Sequence, residues 1–291
     1  MPELYLRQAS VQLIPKQGKP TLLKDFRVSF QIEKTSESTP NPAKIAIYNL
    51  SKGNQSLFES PGQTIILQVG YTGLATPLVK TLFIGDIITA KTSKKGSDFV
   101  TEIEAGDAEK KIVQSYINKG FSGSRFKSGG SAKNTTRDMV RELIREMGLI
   151  PNKTKEAEIN KKLEIVSETE PVHGVTLSGP AKLFLDAIMD KEGLQWSIQD
   201  GEIQIIDPQS TPNTNEAILL TKLTGLLDVS KEDEQRINFK ALLNPQISPT
   251  KFIKIQSSIM DIDGVFRVTR VNYSGDTHEG KWMVDGEALT L

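Results

Sequence analysis

Runs of alternating apolar and polar residues near both ends of the chain constrain its fold most strongly. Residues 26–33 alternate between Phe, Val or Ile and polar side chains, and residues 252–257 alternate in the same way. A period of two places the apolar set on one face of a strand and the polar set on the other. Turn residues such as Lys95-Gly96-Ser97-Asp98 separate these runs, so we expect barrel-like or sandwich-like β domains at 1–105 and 216–291.

The middle of the chain has the period of a helix instead. Thr135 with Asp138 matches the capping box at a helix start, and Gly148 is a natural stop after the helix. The apolar residues between them share one helix face: Met139, Val140, Leu143, Ile144 and Met147. Residues 152–164 are either a short exposed helix or a linker.

A compact strand–helix–hairpin unit is expected within residues 175–206. Gly193 ends its helix, and Asp200-Gly201 between two short apolar runs is a strong hairpin signal. Residues 207–215 have the composition of a linker. The apolar face of the helix is expected to consist of Leu183, Phe184, Ala187 and Ile188.

The predicted fold class is therefore α+β and mainly β, with β domains 1–105 and 216–291 flanking a small α/β middle region. That middle region divides into a helical and loop segment, 106–165, and a small α/β module with a linker, 166–215. Net charge changes from +5 in the first segment to −6 in the second. The change indicates a boundary near residue 165, a pair of complementary surfaces, or two ordinary solvated faces.

The composition argues against most kinds of enzyme. The 291-residue chain has no cysteine and two histidines, His173 and His278, which excludes disulfides, thiol catalysis and Cys-rich metal sites. Lys plus Arg (36) balances Asp plus Glu (36), whereas a protein that coats DNA normally carries a basic excess. We expect neither a signal peptide nor a membrane span. The composition favours a structural or binding protein that folds in a cytoplasm.

Candidate metal ligands occur in two short segments. Asp276, His278 and Glu279 crowd one turn, and three ligands within a single turn seldom converge on one ion. Asp261-Ile262-Asp263-Gly264 begins like a calcium loop but lacks the later ligands, so a hairpin turn ending at Gly264 is expected. His173 is expected to be an ordinary loop residue.

The Gly- and Ser-rich segment 120–134 is the one candidate nucleic-acid contact. Arg125 and Lys127 with Phe121 and Phe126 suggest phosphate binding and base stacking, although a surface loop that orders on a protein partner explains them equally well. No phosphate-loop or nucleophile motif occurs. We therefore predict no catalytic, cofactor-binding or metal-binding residues, no cofactor, and interface residues that the sequence leaves unknown.

The two β regions share a short pattern. Phe99 is followed five residues later by Glu104-Ala105, and Trp282 is followed five residues later by Glu287-Ala288. Matches this short arise by chance, so a structural duplication is a hypothesis here.

The order of several short motifs resembles the baseplate hub proteins of contractile-tailed bacteriophages, the late-control D-like tail hub family. The resemblance spans nearly the whole chain, and its motifs are structural. They are Lys44–Ser51 ending in Tyr-Asn-Leu-Ser, Val69-Gly70-Tyr71 with Leu82–Ile87, Glu146–Leu149 with Glu192–Trp196, and Leu242–Pro245 with Gly264–Val268, Tyr273–Thr277 and Lys281-Trp282.

This resemblance implies a homotrimer in which each chain contributes two tube-like β-barrel domains. Six such domains would form a ring that joins a hexameric tail tube to a trimeric spike. The implied partners are the tail tube protein, the spike protein, other baseplate proteins and the tape measure protein, while DNA passes through the lumen without specific binding. The implied location is the tail baseplate of a virion assembled in the host cytoplasm. The 175–206 unit resembles a LysM-like module.

Two other functions remain open from the sequence. One is a tail-associated protein that binds glycan or peptidoglycan, or degrades cell wall, through the 175–206 unit or nearby acids. The other is a nucleic-acid-binding module in residues 106–165, where the net charge is +5.

Overall fold

A computed structural model describes residues 6–16, 18–58, 62–73, 78–107, 112, 114–123, 134–150, 152–210, 217–257 and 262–290. These residues are mainly in strands. The candidate segment 124–133 and Asp261 lie outside the described residues.

The strands follow the chain in the order β1 to β17. Their bounds are β1 Arg7–Ile14, β2 Thr21–Leu23, β3 Val28–Thr35, β4 Pro42–Tyr48, β5 Thr64–Tyr71, β6 Leu78–Lys95, β7 Asp98–Gly106, β8 Tyr116–Phe121, β9 Val175–Pro180, β10 Gln195–Gln199, β11 Glu202–Ile206, β12 Ile218–Leu220, β13 Leu226–Lys231, β14 Arg236–Leu242, β15 Phe252–Ser257, β16 Ile262–Asp276 and β17 Trp282–Thr290. The helices are α1 Lys52–Ser56, α2 Thr136–Glu146, α3 Lys153–Lys162 and α4 Ala181–Glu192, and a 3₁₀ turn spans Leu163–Ile165.

The chain forms two compact units. The first comprises Met1–Ser36, Asn41–Asp107 and Thr211–Leu291, and the second comprises Glu37–Pro40 and Ala108–Ser210. Each unit has its own apolar core. In the first, the buried residues are those that alternate in sequence, such as Phe30, Ile32, Ile253 and Ile255, as a period of two predicts.

The first unit is built on one continuous sheet. Its strand order is β13-β14-β17-β16-β3-β4-β7-β6-β5-β1-β2, with β15 beside β16 and β12 beside β15. The mainly β class is confirmed. The expectation of two separate barrels is not met within one chain, because β3 from the first β region pairs directly with β16 from the second. The described strands of a single chain form an open sheet.

The second unit confirms the local helix and hairpin signals. Thr135 caps α2, and both hydrogen bonds of the predicted capping box to Asp138 are present. Residues 153–162 form α3 rather than a linker. Asp200 and Gly201 both have positive φ, at 56° and 79°, which is the backbone of the tightest hairpin turns between β10 and β11.

The predicted apolar face of α4 is half wrong. Leu183 is 61% exposed, and the buried residues are Ala181, Leu185 and Met189, with Phe184 and Ile188 beside them. Two stripes of apolar residues run along this helix, and the sequence pattern alone did not say which stripe meets the core.

Gly264, expected to end a hairpin turn, and Asp276, expected to lie in a turn with His278 and Glu279, are both strand residues. Gly264 lies within β16 opposite Ile255, so it does not end a hairpin turn. Ser274, Gly275 and Asp276 continue β16 to its end. Both segments carry turn-forming residue types, but neighbouring strands on both sides of β16 supply the hydrogen bonds that extend it.

Candidate functional site: a repeated polar face of the sheet

Two four-stranded modules lie side by side in the sheet of the first unit. We call β3, β4, β7 and β6 the first module, and β13, β14, β17 and β16 the second module. Each has the same order, since β4 and β14 lie second, β7 and β17 third, and β6 and β16 fourth. The strands also follow the chain in the same sequence in both modules.

The registers of the two modules coincide at the shared Glu-Ala pair. In the first module Ala105 pairs with Ile87 and Glu104 with Thr89, so one extra residue bulges from β6. In the second module Ala288 pairs with Val268 and Glu287 with Arg270, so one extra residue bulges from β16. A β-bulge is a specific local irregularity of a strand pair. Its occurrence opposite Glu-Ala in both modules supports a structural duplication of the two β regions.

The backbone beside each bulge repeats as well. Ile87 accepts a hydrogen bond from the N–H of Gly62, and Val268 accepts one from the N–H of Thr250. Gly62 has φ 75° and Thr250 has φ 74°. A left-handed threonine is uncommon, so this shared conformation indicates that the two halves have the same local architecture.

Beyond these strands the halves differ. The strand β1 runs antiparallel to β5, whereas β12 runs parallel to β15. The repeat is therefore strongest in the two modules and weaker outside them.

One face of each module is polar and grooved, and the other faces the apolar core. The groove of the first module is lined by residues that include Lys44, Lys91, Glu102 and Glu104. The groove of the second is lined by residues from the equivalent strands: Asn238, Lys240, Arg270, Asp285 and Glu287. By register, Glu102 corresponds to Asp285 and Glu104 to Glu287.

The charges on this polar face neutralise one another. In the first module Lys44 Nζ lies 4.0 Å from a Glu104 oxygen, and Lys95 Nζ lies 2.6 Å from Glu102. In the second, Lys240 Nζ lies 3.3 Å from Asp285. These exposed pairs add little stability. Acids and cations therefore lie side by side on this face.

The junction of the modules carries its own ion pair and ring contacts. Arg270 on β16 pairs with Glu33 on β3. On the core side, the Phe30 and Trp282 ring centroids lie 5.5 Å apart, edge to face, and Gly275 lies between the two residues in register. The aromatic contact joins the first and second halves of the unit in one core.

The sequence-predicted candidate Asp276 has a structural role at the end of β16. One oxygen accepts a hydrogen bond from Arg27 at 2.9 Å, and the other accepts from the backbone N–H of His278 and Glu279. Burial by itself would raise the pKa of Asp276, but these hydrogen bonds and the Arg27 charge hold it below its ordinary value of 3.8. His278 is exposed.

We expect the Arg27–Asp276 pair to make stability depend on pH in the acid range. Because the pKa of Asp276 is lowered by folding, its contribution is present above about pH 3.8 and is lost as the pH falls towards its folded-state value. Thermal melts of Asp276→Asn should therefore lose less stability than the wild type on acidification below that pH. Arg27→Gln should remove the part of this component that comes from the guanidinium, because the backbone hydrogen bonds from His278 and Glu279 remain. An unchanged acid profile in both variants would contradict this role.

The other sequence candidates are not brought together. His173 is exposed, and Phe121 is buried in the core of the second unit, which removes it from any base-stacking surface. Within the described ranges, no group of three His, Cys, Asp or Glu is placed to hold a metal ion. Among the described residues, no helix has the length and hydropathy required to cross a membrane.

The oppositely charged segments 106–165 and 166–215 contact each other inside the second unit. Arg137 lies 2.6 Å from Glu168, Lys162 lies 3.8 Å from Glu202, and Lys155 also pairs with Glu202. These pairs favour the complementary-surface interpretation of the charge change. The polar face of the first unit was missed from the sequence, and the shared Glu-Ala spacing was its only signal.

Solved structures with a similar fold include two tail proteins and a component of a secretion system. The 43 kDa tail protein of prophage MuSo2 from Shewanella oneidensis is 9% identical, with a TM-score of 0.60 over 97% of this chain and 98% of that one. A tail protein from Neisseria meningitidis MC58 is 11% identical, with a TM-score of 0.62 over 98% and 97%. At these identities the likeness establishes the fold.

A third similar structure belongs to a secretion system. The Escherichia coli c3393 protein is 14% identical, with a TM-score of 0.59 over 91% of this chain and 73% of that one. It is described as a component of the type VI secretion system with structural similarity to the T4 phage tail proteins gp27 and gp5.

The family comparison is more specific. The sequence has no match among curated proteins. The family model for the baseplate hub gp41 matches residues 9–288, which include the whole second unit and both modules except the last two residues of β17. The chain therefore belongs to the baseplate hub gp41 family, and it is a structural protein of a bacteriophage tail.

Proposed function

We propose that three copies of this chain form the baseplate ring that joins a hexameric tail tube to a trimeric spike and leaves a channel for DNA. The observation that carries the proposal is the internal duplication. Two modules with the same strand order and the same bulge lie side by side in each chain, so three chains supply six equivalent modules. Such a ring has true three-fold symmetry, which fits a trimeric spike, and approximate six-fold symmetry, which fits a hexameric tail tube.

The polar face supports the channel part of the proposal. Each module presents acids and cations in near balance, and the cations lie beside acids. A neutral lining binds few phosphates and releases few counterions, so DNA would pass without being held. In this proposal the grooved face lines the lumen, and the six modules form the closed barrel that one chain lacks.

The second unit has a packing role in this proposal. Its β9–α4–β10–β11 order resembles LysM-like modules, and its helices bury one common core. We expect the purified protein to show no retention on purified peptidoglycan and to release no soluble product from it. Specific retention would favour the glycan-binding alternative.

The solution mass of the purified protein tests the ring directly. Light scattering is expected to give about three times the 32.1 kDa of the chain, at a concentration-independent value. A mass of one chain across the accessible concentration range contradicts the proposal, and so does a stable dimer, which cannot supply six modules.

A further inference from the structure

The two modules differ in the pairing of their fourth strands, β6 and β16. In the second module, Arg270–Asp276 of β16 pairs with β17 on one side and with β3 on the other. In the first module, the corresponding residues of β6 are Thr89–Lys95, and they pair with β7 on one side. On the other side β5 reaches only to Asp86, and no strand of the described chain continues beyond it.

The strand β13 has the complementary free edge. It corresponds to β3, because β13 pairs with β14 as β3 pairs with β4. The other edge of β3 is occupied by β16. The other edge of β13 has no strand partner among the described residues, so β13 begins the sheet order. Among the described strands, each chain therefore has an unpaired edge on β6 and another on β13.

We propose that Thr92–Lys95 of one copy pairs antiparallel with Asp228–Lys231 of β13 in a second copy, in the register that joins β16 to β3 within one chain. This inference rests on the proposed ring and names the strands that close it. Within one chain, Asp276 pairs with Ser29 and Ser274 with Gln31. The same register places Lys95 opposite Asp228 and Ser93 opposite Ser230.

Two pairs of opposite charge face each other in this register, and the exposed Lys231 of β13 lies opposite the neutral Thr92. Lys91, Lys94 and Lys95 on β6 are exposed. The strand β13 carries the exposed Asp228, and the exposed acidic run Glu232–Glu234 follows it. The same register, continued one residue beyond the end of β13 at Lys231, places Lys91 opposite Glu232. Opposite charges across a strand pair stabilise it, and like charges destabilise it.

The same charges disfavour a symmetric dimer. Lysines on an exposed edge prevent it from pairing with an identical edge, so two copies of β6 would repel each other. A contact between β6 and β13 is head-to-tail. Repeated head-to-tail contacts form a closed ring when the rotation from one copy to the next divides a full turn evenly. The eight strands from β13 to β6 in each copy would then follow one another around the ring without a gap.

Cysteine cross-linking tests the register, because the chain has no cysteine of its own. Ser93→Cys and Ser230→Cys are made separately, mixed at equal concentration, allowed to exchange and oxidised. Within one chain, seven strand spacings of about 4.8 Å separate these positions along the sheet, so a disulfide cannot form inside a copy. The mixture is expected to give covalent dimers, and each variant alone is expected to give almost none.

A shifted pair is the matched control. Thr92→Cys mixed with Ser230→Cys shifts the pair by one residue and places the two side chains on opposite faces of the sheet, and neither substitution removes a charge from the contact. Because disulfides need Cβ atoms within about 4.5 Å, we expect roughly ten-fold less dimer from this control. Equal yields from both pairs would contradict the register.

Charge reversal gives an independent readout. Lys95→Asp should lower the trimer fraction measured by light scattering, and adding Asp228→Lys in the same chain should restore it. Three-copy particles without the Ser93–Ser230 cross-link would overturn the strand pairing while the ring survives. A single-copy mass for the wild-type chain would overturn the ring as well, and a cross-link from Ser93→Cys alone would indicate a symmetric dimer instead.

Discussion

Replacing Trp282 by alanine is expected to lower the free energy of unfolding by about 3–5 kcal/mol, the usual cost of deleting a buried aromatic ring. Trp282 is 3% exposed. Its ring contacts Phe30 edge to face, and it lies 6.4 Å from the Tyr71 ring, centroid to centroid. Because Phe30 and Tyr71 belong to the first half of the sheet and Trp282 to the second, the substitution weakens the core that joins them.

Urea unfolding followed by circular dichroism at the strand signal measures this effect. Trp282→Phe is the matched control, since it keeps an aromatic ring at the same position and leaves a smaller cavity, so it should cost less than the alanine variant. Equal losses for the alanine and phenylalanine variants would contradict the role of the ring contacts.

Gly275→Ala is expected to destabilise the junction of the two modules by about 1–3 kcal/mol through overpacking. A Cβ at this position would lie 2.3 Å from Phe30 Cζ and 2.9 Å from a Trp282 ring atom. Both side chains are buried, so neither ring can move aside without disturbing the core. The expected result is a lower midpoint of thermal and urea unfolding.

Gly53→Ala is the control for Gly275→Ala. Gly53 lies in α1, and nothing lies within 4 Å of an added Cβ. Alanine in a helix is favoured over glycine by roughly 0.5–1 kcal/mol, so this variant should be neutral or slightly stabilised. A Gly275→Ala variant as stable as Gly53→Ala would show that the junction is not tightly packed.

Local signals in the sequence predicted local elements well. Alternation in residues 26–33 and 252–257 predicted β3 and β15, because a strand with one buried face needs that period. Thr135 with Asp138 predicted the start of α2, since the capping box satisfies backbone groups that only a helix end exposes. The family resemblance found from ordered motifs is confirmed by the family match.

Long-range pairing could not be predicted in the same way. The pair of Thr35 with Arg270 joins strands from opposite ends of the chain, and nothing in either strand specifies the other. The extension of β16 through Gly275 and Asp276 depends on the strands beside it, so turn-forming residues were misleading there. The polar face needed the register of all four strands before Glu104 and Glu287 could be recognised as equivalent.

The free edges of β6 and β13 had no local signal at all. An unpaired strand edge is a property of the sheet and not of the residues in the strand. The lysines of residues 91–95 and the acids of residues 232–234 look like ordinary solvated charges in sequence. They can be recognised as part of a strand-pairing edge only because β16 and β3, the counterparts of β6 and β13, pair with each other inside one chain.

Electron microscopy of the purified particle, with symmetry determined from the images rather than imposed, tests the central claim most directly. The expected result is a ring of three chains with a central channel, true three-fold symmetry and six similar modules around the channel wall. Particles without a ring, or a ring of six chains with exact six-fold symmetry, would contradict it, because two modules per chain could not then be the repeating unit.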